Sequence, residues 1–357
     1  MIPNLPRNVD IAVVVNLRAR RGSEAVARSC RAELPRARVL ASRSLDEALG
    51  FARALSRAPP ELLVSAGGDG TAVALINAMR APAASRPLWA RNARLPELIA
   101  PGPTALGILP LGTGNGWARA LGAPRWRAAL QRLGRAAHAS EPLPLRRFDL
   151  VEVFGTLAHF AGTGWDAEII DDFDAQKTGP GLLPKKVRQG VWGYLQGLFT
   201  RTIPRSFLDR TQAEVELINT GEDAIAIGSD GRPMPLRGGE HGAVLYRGPM
   251  SVCAAGTSRE WGFGFRAFPF AGLVPRRFCM RVYAGTAAEA TMRMGALWRG
   301  RHPVPKMHSW LLTRARAFFS RPVPFQAGGD RLGHKTEVDY SLAPEQVDLL
   351  DWKALAA

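Results

Sequence analysis

ELLVSAGGDGT, residues 61–71, decides the fold: an apolar run, Glu61 to Ala66, breaks into a glycine-rich turn that enters a helical stretch from Thr71 to about Arg80. The same alternation recurs on both sides of it. Upstream, Val9 to Asn16 (VDIAVVVN) predicts a buried strand, and Ser23 caps a helix to about Leu34. RVLAS at 38–42 predicts the next strand, and Ser44 with Glu47 makes a capping-box signal for a helix to about Ser56. Downstream, Ala105 to Leu109 predicts a further strand that ends in PLGTGN, residues 110–115, and leads into a helix from Gly116 to Leu121. This alternation specifies an α/β domain, a doubly wound sheet with helices on both faces.

Two glycine-rich turns carry the chemistry, Gly67-Gly68-Asp69-Gly70-Thr71 and Leu111-Gly112-Thr113-Gly114-Asn115. Each follows an apolar run and precedes a helix, so main-chain N–H groups can converge on phosphate oxygens beside a helix N-terminus. A lone turn of this kind also arises from packing alone. In an open sheet, however, loops at the carboxyl ends of the strands line one crevice, so the pair can face one polyphosphate. Asp69 sharpens the reading. A carboxylate among anion-attracting amides repels phosphate unless it holds a metal ion or takes a proton, and magnesium-assisted phosphoryl transfer needs such a group. The sequence has no GxxxxGK[ST] loop, and no GxGxxG follows the first strand.

With 357 residues, 46% hydrophobic and 22% charged, the chain is long enough for two domains with their own cores. Collagen-like, mucin-like and coiled-coil classes fail on composition. Cys30, Cys253 and Cys279 are too few and too widely spaced for a disulfide framework or a zinc knuckle. No apolar run is long enough to cross a bilayer, and Met1 to Asp10 carries no export pattern. The five prolines between Arg80 and Pro103 mark an excursion before the strand at 105. Around Pro142 to Pro144 the texture changes to short alternating runs: 149–155, 213–219, 243–248, 250–256 and 277–285. These predict a mostly antiparallel second domain, with a helix at 182–200 between them.

The formal net charge of +16 is uneven: Trp261 to Arg321 holds eleven Lys or Arg and one acid, Glu289. Phe263, Phe265, Phe268, Phe270, Phe278, Trp298, Trp310, Leu311, Leu312, Phe318 and Phe319 are interleaved with them, a pattern suited to an anionic membrane surface. With no recognition helix, RNP motif or zinc-finger spacing, nucleic acid is not the expected partner.

GGDGT at 67–71, GILPLGTGN at 107–115 and AGTGWDAEI at 161–169 resemble, in order and spacing, the diacylglycerol kinase catalytic-domain family, which includes bacterial lipid kinases and the sphingosine kinases. The resemblance implies an α/β nucleotide domain over 1–145, a β-sandwich over 146–340 that shapes the lipid site, and a last segment, 341–357, returning to the first domain. It implies that Gly67, Gly68, Gly70 and Thr71 cradle the phosphates of ATP, that Gly112, Thr113, Gly114 and Asn115 complete the pocket, and that Asn16 opens the first loop. Leu17 replaces the proline usual after that asparagine, and Gly116-Trp117 stands where relatives commonly read Asp-Phe.

On the same resemblance Asp69 is catalytic and Asp166 is a substrate-side group facing the reacting hydroxyl; an aspartate capping a turn is the alternative for Asp166. Asp330, in the stretch Gln326-Ala-Gly-Gly-Asp330, stands for the family's general-base glutamate, and a Gly-Gly-Asp hairpin turn is the other reading of those residues. Lys177, Lys185, Lys186 and Arg188 are candidate cations for the γ-phosphate, and the metal ligands stay unassigned. The implied activity is transfer of the γ-phosphate of ATP, with Mg²⁺, to a hydroxyl of a diacylglycerol-like lipid. The expected setting is cytoplasmic, peripheral at the inner face of the membrane. A sphingoid base or other lipid alcohol is the near alternative, and a catalytically weak regulator that binds nucleotide and anionic lipid is the distant one. NAD kinases share the GGDGT turn, but the aromatic, cationic second half favours a lipid.

Overall fold

Val13, Val14 and Val15 expose no surface, and the strand they form stands inside a parallel sheet. The computed structural model describes residues 4–5, 9–80, 104–164, 167 and 212–355, in two units: 1–148 with 344–357, and 149–343. Asp166, the proline-rich stretch after Arg80, the helix expected over 182–200, and Lys177, Lys185, Lys186 and Arg188 lie outside the described residues.

In the first unit, β1 (Asn4–Leu5), β2 (Ile11–Asn16), β3 (Arg38–Ser42), β4 (Leu62–Gly67), β5 (Ala105–Pro110), β6 (Leu143–Phe148) and a final strand (Val347–Leu350) form one sheet. Its order is β1, β6, the final strand, β5, β4, β2, β3. From the final strand to β3 all neighbours are parallel, while β6 and β1 are added antiparallel at one edge. The helices are α1 (Glu24–Glu33), α2 (Leu45–Leu55), α3 (Asp69–Met79), α4 (Gly116–Ala120) and α5 (Trp126–His138). α1 packs on α5 and α2 on α3.

Local chemistry sets their starts. Ser23 Oγ accepts the Val26 amide at 3.3 Å, and Ser44 Oγ accepts that of Glu47 at 3.1 Å. Glu47 answers one residue further out than a capping box requires, with its carboxylate on the Arg43 amide at 2.7 Å. β6 lies where the texture change suggested a boundary. Its Arg146 and Arg147 pair with Asp351 and Asp348 at 2.7 and 2.8 Å, beside the final strand.

The second unit is antiparallel throughout. β7 (Val151–Val153), β8 (Thr156–Ala158), β9 (Phe160–Gly164), β10 (Ala213–Asn219), β11 (Ile225–Ile227), β12 (Pro233–Pro235), β13 (Val244–Met250), β14 (Val252–Gly256), β15 (Phe278–Tyr283), β16 (Met307–Leu312), β17 (Arg314–Ala327) and β18 (Asp330–Leu342) make one hydrogen-bonded network. β17 joins its parts: residues 315–319 pair with β10, and residues 325–327 with β9. The register shifts between Phe318 and Val323, where Pro322 removes a donor from the ladder.

The interleaved aromatic ribbon needs correcting here. Phe268, Phe270, Phe278, Trp310, Leu311, Leu312 and Phe319 are buried. β15 is buried along its whole length, Arg281 included, and on β17 alternation turns Phe319 inward and Phe318 outward, so most of the ribbon is core rather than membrane-facing surface.

Candidate functional site

The chain leaves β2 toward β3 on one side and leaves β4 toward β5 on the other, so β2 and β4 flank the point where the strand order reverses. Ligands of open α/β sheets bind outside the carboxyl ends of such strands. Asn16, the last residue of β2, spans that point: its Nδ2 donates to Thr71 Oγ1 at 3.0 Å, while its Oδ1 accepts the Arg18 amide at 2.9 Å. Arg21 N–H reaches the Leu111 carbonyl at 3.0 Å, tying the loop after β2 to the second turn.

The two glycine-rich turns lie side by side. Gly67 O accepts the amides of Leu111 and Gly112 at 2.9 and 3.0 Å. A Cβ on Gly112 would land on Gly68 Cα, and one on Gly68 would stand 3.2 Å from Gly112 Cα. Bare backbone therefore meets bare backbone here, which only glycine at position 112 permits. Asn115, with φ 47°, closes the second turn by donating Nδ2–H to Gly112 O at 2.8 Å, and Arg119 Nη2 donates to Gly114 O at 2.7 Å. Asn115 Oδ1 is buried and accepts no hydrogen bond.

Asp69 does something its sequence context did not suggest. Its Oδ2 accepts the Gly116 amide at 2.7 Å and its Oδ1 the Trp117 amide at 3.2 Å, so the first residue of α3 caps α4. The carboxylate fastens the two turns together, and both its oxygens are engaged by protein. Burial pushes its pKa up to about 6, against the opposing pull of the amides of Gly116, Trp117 and Ala118 and of Arg119. Glycine at 116 matters for the same reason, since an acid there would set a second negative charge beside a carboxylate already short of solvent.

Asp330 opens β18 in the second unit and is exposed. It follows Gly328 and Gly329, with φ of 60° and 93°, and pairs with Ala327 across a two-residue turn. Two successive left-handed residues define the hairpin turn that the sequence offered as the alternative. Gln326 Oε1 accepts the Gly329 amide at 3.0 Å and steadies it. His159 is fully buried, and burial alone lowers its pKa to about 3, which marks a neutral core histidine.

The glycine turns suit a polyphosphate in one respect, bare backbone that a side chain at Gly112 would obstruct. They do not form a resident metal centre, because Asp69 is spoken for and no cluster of three His, Cys, Asp or Glu exists among the described residues. Glycine-rich turns beside a strand-order reversal are the features of an α/β fold with a parallel sheet. Residues 10–144 match the diacylglycerol kinase catalytic domain model, the family that the motifs resemble.

No curated protein matches the sequence. A diacylglycerol kinase from Bacillus anthracis shares the fold at 14% identity and TM-score 0.60, over 97% of this chain and 98% of its own. A second B. anthracis structure, described as a candidate diacylglycerol kinase, does so at 16% identity and TM-score 0.62 over the same shares.

Proposed function

We propose that this protein is an ATP-dependent lipid kinase that transfers the γ-phosphate to a hydroxyl of a diacylglycerol-like lipid at the membrane surface. The observation that carries the reading is the contact of Gly68 with Gly112, which sets two amide-rich turns side by side. Gly67, Gly68, Gly70 and Thr71, with Gly112, Thr113, Gly114 and Asn115, would hold the triphosphate, and Asn16 would keep Thr71 in place. Asp69 is assigned as a positioning residue that locks the turns rather than as a metal ligand. Mg²⁺ arriving on the nucleotide would supply charge neutralisation at the phosphate oxygens.

Asp166 would orient the lipid hydroxyl and Asp330 would take its proton as the new P–O bond forms and the bond to ADP breaks. A hydroxyl pKa far above that of any carboxylate makes this proton transfer late, so positioning carries most of the rate. Labelled phosphate passing from ATP into an organic-extractable product of a lipid extract is the expected result. Label appearing only in NAD, or in nothing, would defeat the reading. The engagement of Asp69 by amides favours the second reading, a nucleotide- and lipid-binding regulator, and the same assay separates the two.

Gly70 offers a sharper test of the cradle. It lies in the first turn of α3, and a Cβ there would meet nothing within 4 Å. Gly70→Ala is therefore expected to stabilise the fold by about 0.5–1 kcal/mol. It should also raise KM for ATP, because the methyl would stand where a phosphate approaches the backbone. A higher melting temperature with an unchanged KM would remove Gly70 from the phosphate site.

A further inference from the structure

Burial of most of the aromatic ribbon leaves a small remainder at the core's edge, where Trp261 and Phe265 pack against it and keep part of their surface. After β14 the chain makes a tight hairpin, Trp261-Gly-Phe-Gly-Phe265, in which Trp261 N–H donates to Phe265 O at 2.9 Å and Phe265 N–H to Gly262 O at 2.9 Å. Phe263, with φ 55°, stands at its tip between two glycines of positive φ. Trp261 stacks on Phe265 at 5.7 Å between ring centroids, and Phe265 leans on Trp298 at 5.4 Å. All four rings are only half-buried.

Trp298 ends a short helix, α7 (Met294–Trp298), which follows α6 (Ala287–Met292), and Met292 there is 76% exposed. The Arg266 amide donates to Trp298 O at 3.0 Å, binding hairpin to helix. Around the rings Arg266, Arg299 and Arg301 are exposed. The nearby acids do not offset them: Glu289 is bonded to Lys306 at 3.0 Å, and Glu260 is half-buried. Half-exposed tryptophan and phenylalanine rimmed by arginine matches the boundary of an anionic bilayer, where rings enter the headgroup layer and guanidinium groups meet phosphates.

We infer that the Trp261–Phe265 hairpin and α7 form the surface by which this protein seats on an anionic membrane. The inference rests on the lipid-kinase reading for its purpose but not for its test. It also gives Asp330 a place: Gly328 N–H donates to Phe160 O at 2.8 Å, and the Phe160 ring lies 5.7 Å from Trp261.

The experiment sediments the full chain with phosphatidylglycerol vesicles and with phosphatidylcholine vesicles, without nucleotide. Binding to the former that weakens with salt is expected. The triple change Arg266→Glu, Arg299→Glu, Arg301→Glu should keep the melting temperature and weaken binding roughly a hundredfold, about fivefold per arginine. Arg28→Glu, Arg31→Glu, Arg135→Glu, the same change of net charge on the exposed faces of α1 and α5, should weaken it far less. Brominated phosphatidylglycerol should quench tryptophan emission, and Trp298→Phe should reduce the quenched share.

Equal loss in both triple variants, equal binding to neutral vesicles, or vesicle binding untouched while oligonucleotide binding is lost would each overturn the inference. Vesicle binding without phosphate transfer would leave the docking surface standing and remove the kinase reading.

Discussion

Gly112→Ala is expected to cost on the order of a hundredfold in kcat/KM, the penalty of misplacing reacting groups by about an ångström. The added methyl would clash with Gly68 Cα and stand 3.0 Å from Asn115 Oδ1 and 3.1 Å from Gly68 N. Two of these neighbours are main chain, so they yield only if one turn moves off the other. Overpacking of that kind also lowers stability by about 1–3 kcal/mol. Gly68→Ala provides the control for stability alone, because position 68 is itself in the proposed phosphate cradle. Its methyl would meet only Gly112 Cα, at 3.2 Å, and the backbone there is extended, with φ −100°, so a shift of a few tenths of an ångström accommodates it. Thermal melting of both variants checks the contrast, and ATP titration follows Gly112→Ala. If the Gly112→Ala variant binds ATP like the parent, the triphosphate is held elsewhere.

Asp69→Ala is expected to be as damaging by another route. It strands the amides of Gly116 and Trp117, at a cost of about 1–3 kcal/mol for each buried donor left unpaired, and it frees α4 from the first turn. Asp69→Asn keeps one acceptor but turns an NH₂ toward an N–H, so it should retain more stability while losing most activity. The pH dependence distinguishes this role from that of a base. Because the folded pKa of about 6 lies above the ordinary 3.8, the proton on Asp69 favours the fold below about pH 4, and that contribution is lost as pH rises through 6. Activity should run the other way, rising through pH 6 as both oxygens become acceptors. Asp69→Asn should flatten the stability slope in that window. An unchanged slope would mean that Asp69 does not titrate there.

Much of the first unit was legible because its signals are local. β-branched runs marked β2 to β5 to within two residues, and serines marked the starts of α1 and α2. The partners of Asp69 were not legible: they lie 47 and 48 residues away and are main-chain amides, which every residue but proline carries, so no side-chain pattern announces them. The return of the last segment to the first unit was expected from the resemblance, but its pairing with β6 was not, since Arg146 finds Asp351 across 205 residues. The cationic ribbon misled for a different reason. Alternation along a strand places sequence neighbours on opposite faces in space, as Phe318, exposed, and Phe319, buried, show on β17.

Sequence alone determined β2 to β5 with the helices α1 to α4, the two glycine-rich turns and the family they resemble, because periodicity and turn chemistry act over a few residues. Tertiary structure alone decided that Gly68 rests on Gly112, that Asp69 serves the neighbouring turn, and which few aromatic side chains stay at the surface. Those outcomes depend on which distant backbone groups are brought within hydrogen-bond or van der Waals range, and that distance is set only when the sheet closes.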